Sequence, residues 1–146
     1  MATLTKNLFR GQGERDHRLG VVEGHWPTDI EGSVFVVGPD KREPDGHWFA
    51  EHGLLERISM VPDAEGRIAV THRIVDTPMT RLRERFGFLF RRLQFMELSP
   101  FGVTNLANTN VGAIDGRLFV GYDAGRPVEV DPVTMRFITP VGANDE

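Results

Sequence analysis

A β-rich fold of the sandwich, barrel or propeller kind is the class this sequence predicts, and three features carry it. Short apolar runs of strand length recur along the chain. The 16 Gly and 9 Pro punctuate those runs instead of gathering in one linker. Turn signals return at the roughly 8–12-residue spacing of short antiparallel strands. One segment departs from that spacing and reads as a helix.

Taken in order, Val34 to Val37 is an unbroken β-branched and aromatic run that stops at Gly38-Pro39, the pattern of a buried strand. Leu54 to Met60 and Arg67 to Ile74 alternate apolar with polar residues around Pro62-Asp63-Ala64-Glu65-Gly66, which predicts a hairpin. Ile114-Asp115-Gly116-Arg117 predicts a sharper one, because Asp-Gly supplies the positive φ angles that a two-residue hairpin turn requires. Val128 to Val130, bracketed by Pro127 and Pro132, predicts a short strand with Met135 to Ile138 as its partner.

The helical segment is Thr80 to Leu98. Leu82, Phe86, Leu89, Leu93 and Met96 fall at intervals of three and four, and Phe90 widens the stripe. Arg81, Glu84, Arg85, Arg91 and Arg92 take the other side. With Arg83 and Glu97 included, the segment carries a net +3 inside a chain of -4.

That overall balance, 17 Lys and Arg against 21 Asp and Glu, argues against a nucleic-acid partner, which needs a broadly basic surface. An apolar content of 40% with 26% charged residues is that of a globular chain. The absence of Cys excludes disulfides, thiolate metal sites and a Cys nucleophile. Residues 1–20 show no apolar core of a secretory signal, and no window approaches the ~18 apolar residues of a membrane-spanning helix. A cytoplasmic location is the expectation.

No catalytic constellation emerges from the residues alone. His47 and His52 are five apart, not the four that puts two imidazoles on one helix face, and in a strand they would point to opposite faces. His17, His25 and His72 read as turn or surface residues. Ser33, Ser59 and Ser99 lie in no nucleophile elbow. Gly11-Gln12-Gly13 neither follows a strand nor opens a phosphate loop.

Three blocks, in order, resemble the amino-terminal part of the carotenoid cleavage oxygenases. The first is Gly24-His25-Trp26-Pro27-Thr28-Asp29-Ile30-Glu31-Gly32, running on to Gly38-Pro39, with Val36-Val37 where the family has Arg-Asn. The second, His47-Trp48-Phe49-Ala50-Glu51-His52-Gly53-Leu54, is similar to the family's His-Trp-Phe-Asp-Gly-Asp-Gly-Met stretch. The third joins Asn108-Thr109-Asn110-Val111 to Asp123-Ala124-Gly125-Arg126-Pro127 and Asp131-Pro132-Val133-Thr134.

The resemblance implies an all-β fold, the amino-terminal portion of a seven-bladed β-propeller with one amphipathic helical insertion. It implies an iron(II)-dependent dioxygenase that cleaves a double bond of a carotenoid, apocarotenoid or stilbene with molecular oxygen. At about 40–45 residues per blade, this length builds about three blades, roughly the first third of such a propeller. The family's first iron-binding His belongs to a His-Pro pair, and no His-Pro occurs here. The expectation is therefore a fragment that binds no iron by itself and is inactive alone, with no catalytic or metal residue of its own.

What the resemblance does assign is the amphipathic segment. Family members carry an apolar, aromatic-rich patch between the second and third blocks, at the membrane-dipping mouth of the substrate tunnel. Leu82, Phe86, Leu89, Phe90, Leu93 and Met96, flanked by Arg81, Arg85, Arg91 and Arg92, are the residues expected to meet lipid and admit substrate. The competing reading is a non-catalytic β-rich module that binds lipid or protein.

Overall fold

The computed structural model describes residues 13–40, 51–90, 98–99, 102–103, 106–123 and 125–142. Their elements are β1 (Arg15–Leu19), β2 (Ser33–Pro39), β3 (Gly53–Ser59), β4 (Ile68–Ile74), α1 (Pro78–Phe90), β5 (Leu98–Ser99), β6 (Gly102–Val103), β7 (Asn110–Ile114), β8 (Arg117–Gly121), β9 (Val128–Val130) and β10 (Phe137–Pro140). They form two four-stranded antiparallel sheets, ordered β1-β4-β3-β2 and β10-β9-β8-β7, and a two-stranded ribbon of β5 and β6.

Both predicted hairpins form. β3 pairs with β4 in the register Ile58↔Val70 and Leu54↔Ile74. Between them Asp63 organises the connection: one carboxylate oxygen accepts the Glu65 and Arg67 amides at 3.1 and 2.8 Å. The other meets the guanidiniums of Arg18 and Arg67, which ties β1 to this turn. The β7–β8 hairpin closes at Ile114↔Arg117, with Asp115 at φ 50° and Gly116 at φ 76°, as a two-residue turn demands.

Three expectations need correction. β2 is not a buried strand. It lies at a sheet edge, where alternate residues face opposite sides, so Phe35 and Val37 pack on the core while Val34 and Val36 stay 45% and 49% exposed. The partner of β9 starts at Phe137, two residues late, because Asp131 first builds a turn. Its carboxylate accepts the Val133 and Thr134 amides, and its carbonyl accepts the Met135 amide at 2.7 Å. The helix begins at Pro78 instead of Thr80, and Leu98 belongs to β5, not to the helix; residues 91–97 lie outside the described residues. β1 was not foreseen, since Arg15, Asp16 and Arg18 give it no apolar face.

The core lies between the two sheets. Leu55, with Phe35 and Val37 beside it and Val75 just past β4, meets Leu118, Val120, Val128, Val130 and Met135. The junction is also made by backbone. Gly53 N–H donates to the Leu106 carbonyl at 2.8 Å, and its own carbonyl accepts the Val75 amide at 2.9 Å. A Cβ on Gly53 would lie 1.7 Å from the Ala107 carbonyl oxygen, so no side chain fits there. Arg57 reaches across to the Val133 carbonyl at 2.7 Å, and Arg136 grips the Glu14 carboxylate at 2.9 and 3.2 Å.

Candidate functional site

Helix α1 starts where its chemistry says it must. Thr77 accepts the Thr80 amide on Oγ1 at 3.2 Å, the geometry of an N-cap, and Pro78 takes the first helical position, where its missing N–H costs nothing. Thr80 Oγ1 in turn donates to the Val75 carbonyl at 3.1 Å. Thr77, Met79 and Thr80 are all buried, so this first turn is the part of the helix that docks on the sheets. The Thr77-Pro78 pair was a readable start signal that the apolar spacing alone placed too late.

Past that turn the described side chains of residues 81–86 are exposed. Leu82 and Phe86, four apart on one stripe, are 40% and 38% exposed, and Arg81, Glu84 and Arg85 are exposed beside them. The Arg85 guanidinium lies 5.8 Å from the Phe86 ring centroid, a cation–π contact. Arg81 is differently employed: Nε donates to Asp76 at 2.9 Å and the guanidinium stands 5.9 Å over Phe137, fastening the helix to the second sheet. At Phe86 the backbone leaves helical geometry (φ −125°, ψ 28°), so α1 kinks directly before Gly87. Leu89 and Phe90 lie on the helix; their side chains, and Arg91, Arg92, Leu93 and Met96, lie outside the described residues.

Among the described residues no group of three His, Asp or Glu stands close enough to hold a metal ion. His17 and His72 do come together, ring centroids 5.1 Å apart in an edge-on arrangement, and Nε2 of His72 is 2.9 Å from a Glu56 oxygen. Burial pushes the His72 pKa below its ordinary value, against the opposing pull of Glu56. This pairing spans three strands, so no local spacing announced it. One imidazole pair at that angle does not make up a metal site, and no metal chemistry follows from it. His47 lies outside the described residues.

Comparison with known proteins places this geometry. The model of the family described as retinal pigment epithelial membrane protein matches residues 8–145. Carotenoid cleavage dioxygenase 7, chloroplastic, of Oryza sativa subsp. japonica is 30% identical over 154 residues, covering 91% of this chain and 25% of that protein. Resveratrol cleavage oxygenase 1 of Aspergillus fumigatus is 28% identical over 121 residues, 78% of this chain and 24% of that protein. The chain thus spans about a quarter of the length of these curated relatives. Solved structures of Synechocystis apocarotenoid oxygenase variants superpose with a TM-score of 0.67 at 22% identity, over 90% of this chain and 30% of theirs. A cobalt-substituted form of the same oxygenase gives 0.64 at 23% identity. The two sheets are a portion of that β-propeller fold, and the chain belongs to the retinal pigment epithelial membrane protein family, the carotenoid cleavage oxygenases.

Proposed function

We propose that this chain supplies the amino-terminal blades and the lipid-facing mouth of an iron(II)-dependent oxygenase. Its substrate would be a carotenoid, apocarotenoid or stilbene, cleaved at a double bond with molecular oxygen. The names of the relatives support the reaction class. The metal would be held by histidines that this sequence, with no His-Pro pair, does not itself supply, so the 146-residue chain alone would bind no stoichiometric iron and be inactive.

The observation that carries the mouth assignment is the exposure of Leu82 and Phe86 on a helix whose buried side is already filled by Met79 and Thr80. An apolar stripe that serves packing would be turned the other way. An apolar polyene partitions into bilayers, and a site that draws from them needs an apolar contact there. Full burial of a large side chain in the acyl boundary gains roughly 1.5–3 kcal/mol, and each nearby basic residue about 1 kcal/mol on an anionic surface.

Liposome co-sedimentation of the full chain tests this. Replacing Leu82 and Phe86 with Ser should weaken binding in every lipid. Replacing Arg91 and Arg92 with Gln should weaken it mainly on anionic lipid at low salt, because that attraction is screened. Unchanged bound fractions for both pairs overturn the mouth assignment. One tightly held iron per chain after purification in ferrous buffer overturns the metal assignment.

A further inference from the structure

On the face of the first sheet turned away from the core, β4 lines up Ile68, Val70, His72 and Ile74, all buried. Of these only His72 carries polar side-chain atoms. β3 sets Glu56 directly opposite it, and β1 sets Arg15 opposite on the other side, with His17 one pair further along the same face. Nδ1 of both imidazoles is buried without a hydrogen-bond partner. Nε2 of His72, though 2.9 Å from Glu56, makes no aligned hydrogen bond. A pocket with so few partners suits a neutral ring better than a charged one.

β1 is the edge strand that rests on this place, paired with β4 alone. Its attachment rests on the ladder, on the Arg18–Asp63 and Asp16–Arg73 ion pairs, and on His17 against His72. It also rests on Glu14, whose carboxylate accepts the Ile74 amide at 3.3 Å and the Arg136 guanidinium. Among the described residues, the charged or titratable groups facing His72 are Arg15 and His17 from β1 and Glu56 from β3, while β2 offers only Val34, Val36 and Gly38 on this side. Arg73, next in sequence, points to the other face and is held by Asp16 at 2.8 Å.

We propose that His72 is an acid-sensitive latch on β1: neutral, it seats the edge strand; charged, it drives the strand off β4. Charging adds one proton to an imidazole that has Arg15 and His17 on one side and only Glu56 to offset them. Desolvation is the largest influence holding its pKa down, Glu56 opposes it, and Arg15, His17 and Arg73 add to the depression. Once the strand is off, His72 regains its ordinary value of 6.5. Attachment is therefore complete above that pH and is lost progressively below it. Release would also break the Glu14–Arg136 contact between the sheets and bare the edge of β4 as a template for another strand.

Amide hydrogen exchange in the full chain between pH 7.5 and 5 tests the latch, with β7–β8 amides as the internal reference. Relative to that reference, β1–β4 protection should fall by up to about tenfold for each pH unit below about 6.5. His72→Gln should abolish this pH dependence, and Glu56→Gln should deepen it. Parallel behaviour of both hairpins in the natural sequence, or an unchanged profile in His72→Gln, overturns the proposal. Should His72→Gln fail to fold, the NMR titration of His72 in the natural sequence decides: a midpoint at or above 6.5 overturns it.

Discussion

The two four-stranded sheets solve the same problem with different means. The second is a plain meander, β7 to β10, in which each strand pairs with its neighbour in sequence and the fully buried inward residues are aliphatic. The first takes its outer strand, β1, from before the other three, across the turn-rich stretch of residues 20–32, and buries an imidazole beneath it. A meander needs only local closure. A sheet completed by a distant segment must close a long loop before its contacts reward it, and on that segment charges and a histidine gather.

The largest expected effect tests whether the two halves share one core. Leu55→Ala and Leu118→Ala, both fully buried at the junction, should each cost about 2–5 kcal/mol. Urea denaturation should show a single transition in both variants. Two separated transitions would mean that the sheets fold independently and that the junction is weaker than its burial implies.

Next comes Gly53→Ala, which leaves every side chain of the core intact and attacks only the backbone contact. With the Ala107 carbonyl at 1.7 Å from the added carbon, neither backbone can yield cheaply, and a loss near the upper end of ~1–3 kcal/mol is expected from the same denaturation curve. A neutral result would show that the two segments slide apart freely. Gly116→Ala should cost about 1 kcal/mol, because only the left-handed turn is strained. It should speed unfolding of the whole chain without altering the pH dependence of β1–β4 exchange.

The smallest effect is a difference in pH response. In the second sheet the bidentate Arg117 contact holds the Glu129 carboxyl below 4.5, and the Thr134 amide and hydroxyl hold Asp131 below 3.8. These carboxylates favour folding above those values, and their contribution fades only as the pH falls through the lowered ones. His72 in the first sheet has the opposite charge change and begins to cost stability below 6.5. Circular dichroism combined with site-resolved exchange should therefore show the β1 edge of the first sheet yielding at mildly acidic pH while the second sheet holds. Simultaneous loss would erase the distinction between them.

What could be read in the sequence followed the same divide. The Asp115-Gly116 turn, the β3–β4 alternation and the Val128 to Val130 strand were legible because each is a local pattern with a local cause. β1 was not, because a strand made of Arg15, Asp16, His17 and Arg18 owes its place to β4 and to Asp63, far away in sequence. The apolar stripe of α1 was visible at once. That Met79 and Thr80 would face the body while Leu82 and Phe86 stay exposed could not be read from periodicity, which finds a face and says nothing of what it meets. Among the described residues of the three blocks, residues 24–32, Gly53 and residues 131–134 sit at turns and junctions, where backbone geometry restricts residue choice most.

The contact of Gly53 with Leu106 and Ala107 has one more implication. Because the angle between neighbouring blades is set there by main-chain atoms, a lineage can exchange nearly all the side chains around it without rotating one blade against the next. A TM-score of 0.67 at 22% identity is the kind of divergence such a joint permits. A fold assembled on joints of this sort can change the side chains on either side of the joint while its skeleton keeps the same pitch.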